Sequence, residues 1–252
     1  MKTHYLACLL IATSISLMSV PQFEAQEKAA PKVEKGKGKG GKGSKGGKGP
    51  QINKPRIDDT LKANIYADNW FQLYINGNLV AVDSISFIPH NVISVDILPQ
   101  YPMTIAVMAK DNADPDTGLE YNNTNLGDGG FILKFSDGTV TSSAWKAKSF
   151  FHGPLARDFA NPRTEHTLIP EGWFEIDFDD SDWSQAVEHS EEAVKPKSPF
   201  YEHDFAGAKW IWTGDLALDN TVLFRVTVPS PPDGSPMPPS DWPRGHIDAS
   251  NR

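Results

Sequence analysis

Residues 68–83 read DNWFQLYINGNLVAVD, and the Asn76-Gly77 pair at the centre constrains the fold more than any other dipeptide of the chain. A two-residue hairpin loop of the type I′ kind needs positive φ at both central positions, which Asn and Gly adopt at the least cost. Phe71 to Ile75 and Leu79 to Val82 flank the pair as two apolar runs. Phe71, Leu73 and Ile75 alternate with Gln72 and Tyr74, so the spacing predicts an antiparallel hairpin with one face on a core.

The same period recurs along the chain. Leu61, Ala63, Ile65 and Ala67 alternate with Lys62, Asn64 and Tyr66, which predicts a strand with one wet face. Ser84 to Ile88 and Val92 to Leu98 are two further short β-type runs, separated by Pro89. Met103 to Ala109 is almost continuously apolar, the pattern of a central strand buried on both sides. Phe131 to Phe135 and Thr139 to Thr141 flank Ser136-Asp137-Gly138, a second tight hairpin, and Lys209 to Trp212 and Val222 to Val228 are the last strand candidates. One short helix is expected around Ser190 to Val194. No long stretch repeats apolar residues at 3.6-residue spacing, which excludes a helical fold. With 252 residues, 39% of them hydrophobic and 10% aromatic, the chain has material for one sandwich-sized all-β domain, placed at residues 57–228.

The two ends differ in composition. Residues 1–25 have the form of a secretory signal: Lys2 and His4, an apolar run from Leu6 to Val20, then Pro21 and Ala25. That run is short for a transmembrane span, so none is expected in the mature chain; an uncleaved anchor is the alternative. Cys8, the single cysteine, leaves with the signal, and the exported protein (periplasmic or extracellular) is expected to have no disulfide. Residues 26–56 form a Lys/Gly-rich linker whose tract Gly36 to Gly49 has no apolar residue with which to offset ordering entropy. Residues 26–54 hold nine Lys against Glu27 and Glu34, whereas residues 55–252 hold 14 Lys and Arg against 29 Asp and Glu. A basic tether thus precedes an acidic body. Its alternative role is contact with an anionic polymer; with no aromatic residue interleaved, specific nucleic-acid binding is not expected. Residues 229–252 are Pro-rich and expected to be disordered or loosely draped.

Several motifs, taken in order, resemble the galactose-binding-like jelly-roll β-sandwich modules attached to secreted bacterial glycosidases and esterases, such as the accessory domain of α-L-rhamnosidases. They are the 71–77 hairpin with Val80, Val95-Asp96-Ile97 followed by Met103 to Ala109, Ser143-Ala144-Trp145-Lys146, Phe178-Asp179-Asp180-Ser181-Asp182-Trp183, Ala208-Lys209-Trp210-Ile211-Trp212, and Phe224-Arg225. The resemblance covers about residues 60–228. It implies an antiparallel jelly-roll, a structural role for the Asp-rich 177–183 stretch with Trp183 plugged into the core, and catalysis by some other domain. One departure stands out: in many such modules the Trp-Ile-Trp and Phe-Arg strands precede the Asn-Gly hairpin, and here they come last. The expectation is that they close the same sandwich from the C-terminal side; the alternative is a second, truncated module.

Catalytic signals are thin. No Gly-x-Ser-x-Gly elbow occurs, and His90, His152, His166, His189, His203 and His246 are scattered without paired-ligand spacing. Asp177, Asp179, Asp180 and Asp182 could supply a carboxylate pair for glycoside hydrolysis, which is the weaker, enzymatic alternative. For a metal, Asp111, Asp114 and Asp116 with Gly118 form an Asp-rich loop suited to Ca²⁺, joined by Asp128 from the Gly127–Gly130 turn; a solvated turn is the alternative. For a carbohydrate, Trp70, Tyr101, Tyr121, Trp145 and His152 fall near predicted strand ends, where rim or core packing is the competing role. Asn122-Asn123-Thr124 is a formal glycosylation sequon. The sequence therefore reads as a secreted, non-catalytic module that binds carbohydrate or an extracellular protein. The rival is a cell-surface matrix protein assembled by its opposite charges.

Overall fold

The computed structural model describes residues 55–83 and 91–238. The expected signal, the Lys/Gly tract, Cys8, the Ser84 to Ile88 run and residues 239–252 lie outside the described residues.

Among the described residues twelve strands follow in chain order: β1 (Leu61–Asp68), β2 (Trp70–Ile75), β3 (Asn78–Val82), β4 (Val92–Ile97), β5 (Met103–Lys110), β6 (Gly130–Phe135), β7 (Lys146–His152), β8 (Glu165–His166), β9 (Ser184–Gln185), β10 (Val187–His189), β11 (Trp210–Trp212) and β12 (Asp219–Val228). Two single-turn helices, α1 (Glu191–Val194) and α2 (Ser198–Tyr201), lie between β10 and β11. Among the described residues no helix is long and apolar enough to cross a membrane.

The strands form two antiparallel sheets. One runs β10-β11-β6-β1-β4, the other β3-β2-β5-β12-β7-β8, with β9 also paired to β7. The Asn76-Gly77 loop joins β2 to β3 with Ile75 opposite Asn78, and both loop residues have positive φ (48° and 77°), as the type I′ turn demands. β5 lies between β2 and β12 and is buried on both faces over Met103–Val107. β12 pairs with β5 along Thr221–Val228 and β11 pairs with β6, so the last two strands enter both sheets.

The core lies between the sheets. Phe71, Leu73 and Ile75 from β2 meet Phe131 and Leu133 from β6, and Phe131 stacks on Phe224 of β12 at 5.5 Å. Each such aromatic or Leu side chain removed from water contributes about 1.5–3 kcal/mol. The outer faces are covered as well. Tyr66 is buried rather than wet, because Val194, Phe205 and Trp210 pack over that side of β1, and the Tyr66 hydroxyl accepts the Lys197 N–H at 3.2 Å. The wet face of β1 therefore holds at Lys62 and Asn64 and ends at Tyr66, which belongs to a second apolar cluster.

On the other sheet, residues 173–183 cover Ala106, Phe150 and Leu223 through Trp173 and Trp183. Arg225 anchors this cover: Nε donates to Asp180 Oδ2 (2.8 Å), Nη2 to the Glu175 carbonyl (3.0 Å) and Nη1 to the Trp173 carbonyl, with the Phe178 ring 5.2 Å away. The Ser181 hydroxyl and, after it, the Ser181 N–H hold the Asp179 carboxyl below the usual range, and Asp182 pairs with Lys148. These acids are committed to turn and anchor bonds.

Candidate metal centre

Strand register brings the ends of β1, β5 and β7 together with the starts of β2, β6 and β12: Trp70 faces Lys110, Lys110 faces Thr221, Asp68 faces Gly130 and Asp219 faces His152. At this end Asp111, Glu120 and Asp128 each place one carboxylate oxygen within 4.8 Å of the others. Asp111 is 3% exposed and Glu120 2%.

Backbone bonds build the cluster. The Asp111 N–H donates to the Asn220 carbonyl at 3.0 Å, so β12 sets its height. Asp111 Oδ1 accepts the Asn112 N–H (2.8 Å) and Oδ2 the Asp128 N–H (3.0 Å), tying β5 to the turn before β6. Glu120 is delivered by its own small loop, closed by the Glu120 N–H to the Asn125 carbonyl (2.9 Å). Gly127 is required at its position: a Cβ there would lie 2.0 Å from Asp111 Oδ2 and 3.0 Å from Asn220 Oδ1. Those two oxygens therefore converge on one spot.

Two acceptors in this group are left over. Glu120 Oε1 and Asn220 Oδ1 are buried with no hydrogen-bond partner, although the Asn220 amide donates to the Gly153 and Leu218 carbonyls. A buried polar atom without a partner costs about 1–3 kcal/mol. Burial, then the bond and charge of Glu120, then Asp68 and Asp128, push the Asp111 carboxyl well above the usual range. Glu120 is raised chiefly by burial, with Asp128 and Asp68 adding to it. Close-packed carboxylates and an amide oxygen form an all-oxygen donor set, which suits a hard cation such as Ca²⁺.

The sequence-predicted residues divide around this centre. Asp111 and Asp128 belong to it. Asp114 and Asp116 do not join it: Asp114 Oδ1 accepts the Asp116 and Thr117 N–H groups at 3.0 Å each, capping an exposed turn. Tyr121 stands next to Glu120 and is 58% exposed. Trp70 has the Lys110 ammonium over its ring at 5.5 Å. The His152 Nδ1 meets Asp219 Oδ1 at 2.7 Å, and the same carboxylate accepts the Thr213 hydroxyl.

Trp145 and Tyr101 lie toward the other end, before β7 and β5. Trp145 corrects the sequence expectation: it is 2% exposed, packs beside Phe131 and gives its indole N–H to the Val140 carbonyl, so it offers no ring face to a ligand. Tyr101 is half-buried, and its hydroxyl donates to Asp137; that burial and that bond raise its pKa.

Sequence reasoning missed Glu120 and Asn220. The signal for Glu120 was a lone acid followed by Asn122-Asn123-Thr124-Asn125, a turn sequence that folds it back toward Asp111. No protein-family model, curated protein or solved structure matches this chain.

Proposed function

We propose that the chain is an exported, non-catalytic binding module with a jelly-roll of the galactose-binding-like kind. In this reading Ca²⁺ fastens the loops at one end of the two sheets, and the module recognises carbohydrate. The Lys/Gly tract acts as its tether and touches anionic polymers nearby. The observation that carries the reading is the buried group Asp111, Glu120 and Asp128 with the orphaned Glu120 Oε1 and Asn220 Oδ1. Asp111, Glu120, Asp128 and Asn220 would hold the ion, and its charge would offset the desolvation of the carboxylates. Further support comes from Asp179, Asp180 and Asp182, which are engaged with the Ser181 N–H, Arg225 and Lys148 respectively.

Titration of metal-free protein with CaCl₂ by calorimetry tests the metal, with Asp111→Asn as the comparison. Saturable 1:1 binding that is lost in the variant supports the site, and equal heats in both proteins overturn it. A glycan array on the full chain tests the ligand class. Binding confined to anionic polymers and abolished by salt would favour charge-driven matrix assembly instead.

A further inference from the structure

The segment that buries Tyr66 also forms a cleft. α1, α2 and residues 202–208 lie over Ile132 and Trp210 on the outer face of the five-stranded sheet. They leave an opening of about 510 Å³ at the β10–β11 edge. This is within the usual range for small-ligand sites, which join aromatic walls to a few polar groups.

The walls are aromatic. Phe200 lies 5.2 Å from both Phe205 and Trp210, and Tyr201 meets Phe200 edge-on at 5.1 Å. Tyr201 is 62% exposed, so its ring is open to a partner from solution. The polar rim mixes donors and acceptors. Tyr201 donates to Glu191 Oε1 at 2.7 Å, which leaves Oε2 to accept. The His203 Nδ1 donates to the Pro199 carbonyl at 2.9 Å, which leaves Nε2 as the ring nitrogen available to a ligand. Lys209 adds an ammonium donor to the same lining. Behind them the Trp210 indole N–H is buried and finds no acceptor among the described residues.

A hydroxyl both donates and accepts, so a polyol answers this set more fully than a carboxylate or an amine does. One acid and one lysine leave the rim with no strong net sign, which favours an uncharged ligand. Aromatic faces complement the apolar C–H face of a sugar ring. We propose that this cleft is the carbohydrate site and that it takes a neutral mono- or disaccharide, with Tyr201 as the stacking platform and Glu191, His203 and Lys209 bonding the hydroxyls. The proposal rests on the carbohydrate reading above and moves the ligand away from the residues singled out in the sequence.

The test uses the full chain and an array of neutral gluco-, galacto-, manno-, xylo- and rhamno-oligosaccharides with acidic polysaccharides alongside, followed by titration of the best-bound sugar. Tyr201→Ala is expected to weaken binding about tenfold, and Glu191→Gln by a smaller factor, both at unchanged melting temperature because these side chains are exposed. The Trp210 indole N–H resonance, assigned with Trp210→Phe, is expected to shift on sugar addition. Sugar binding that both variants retain, with an unmoved Trp210 resonance, overturns the cleft and leaves the carbohydrate reading standing. Failure of every neutral and acidic glycan to bind overturns both. Capture of an acidic polysaccharide alone, or of an extracellular protein alone, overturns the cleft proposal.

Discussion

Arg225 and Asp111 are each 3% exposed, and their surroundings differ in kind. Each nitrogen of the Arg225 fork has an acceptor, one carboxylate and two backbone carbonyls, with an aromatic ring close by. Around Asp111 and Glu120 the neighbours are further carboxylates, and two buried oxygens go unanswered. The first site is complete within its own chain. The second, assembled from β5, β12 and two turns, leaves acceptors that the proposed cation would complete. A buried carboxyl is held by a partner, by a cation or by keeping its proton, so Arg225 is a finished anchor and the acidic group is where the proposed cation would act.

This contrast can be broken by experiment. The largest effect is expected at the complete site: Arg225→Met strands Asp180 and the Trp173 and Glu175 carbonyls. It should cost about 3 kcal/mol in a denaturant titration, at the low end for a buried pair because Asp180 keeps part of its surface in water. A loss under about 1 kcal/mol would show the anchor to be ornamental. Next, Ca²⁺ at a hundredfold excess over its dissociation constant should add about 2.7 kcal/mol, a rise of roughly 5–10 °C in Tm by calorimetry. Asp111→Asn should abolish that rise, and a rise that survives would place the ion elsewhere.

Glu120→Gln should act in opposite directions on the two states. It relieves like-charge crowding, so the metal-free protein gains up to about 1 kcal/mol, while the response to Ca²⁺ falls. A variant weakened in both states would mean that the Glu120 charge already has a partner.

pH supplies a further test. Asp111 and Glu120 have raised pKa values in the metal-free fold, so above about pH 4 the fold holds more protons than the unfolded chain. Stability of the metal-free protein therefore falls as pH climbs from there toward the raised folded values. Ca²⁺ binds the deprotonated group, so the gap between melting temperatures with and without Ca²⁺ should widen between about pH 4 and pH 7. A constant gap would detach these carboxyls from the ion. The smallest effect is expected at the exposed Lys148–Asp182 pair, where Lys148→Met should cost less than about 1 kcal/mol.

β1 to β6, β11 and β12 were legible because their signals are local, whereas β7 to β10 fall where no strand was expected. Asn76-Gly77 carries its turn in two residues, and β5 carries its centrality in one almost continuously apolar run. Ser190 likewise caps α1 through its own Oγ, three residues from the N–H it accepts. What sequence could not supply was partnership across distance. Tyr66 reads as a wet position until the segment before β11 arrives to cover it. Trp145 sits at the edge of a run and reads as a rim residue, yet its ring lies between the sheets beside Phe131. The metal centre was half visible: an Asp-rich loop drew attention to Asp111 and Asp128. Asp114 and Asp116 share that composition and spend it on a turn. Asn220 joins from 109 positions after Asp111, and only the pairing of β12 with β5 sets the two together.

That pairing has a kinetic side. β12 is last in sequence but lies between β5 and β7, with Val228 opposite Met103. The second sheet cannot be completed until residue 228 is available, and closing so long a loop makes such topologies slow to fold. Until then β5 and β7 have no neighbour between them and expose apolar edges that invite pairing with other chains. In the export proposed above, N-terminus first, β12 would emerge after both β5 and β7, and the second sheet would close only once residue 228 is across.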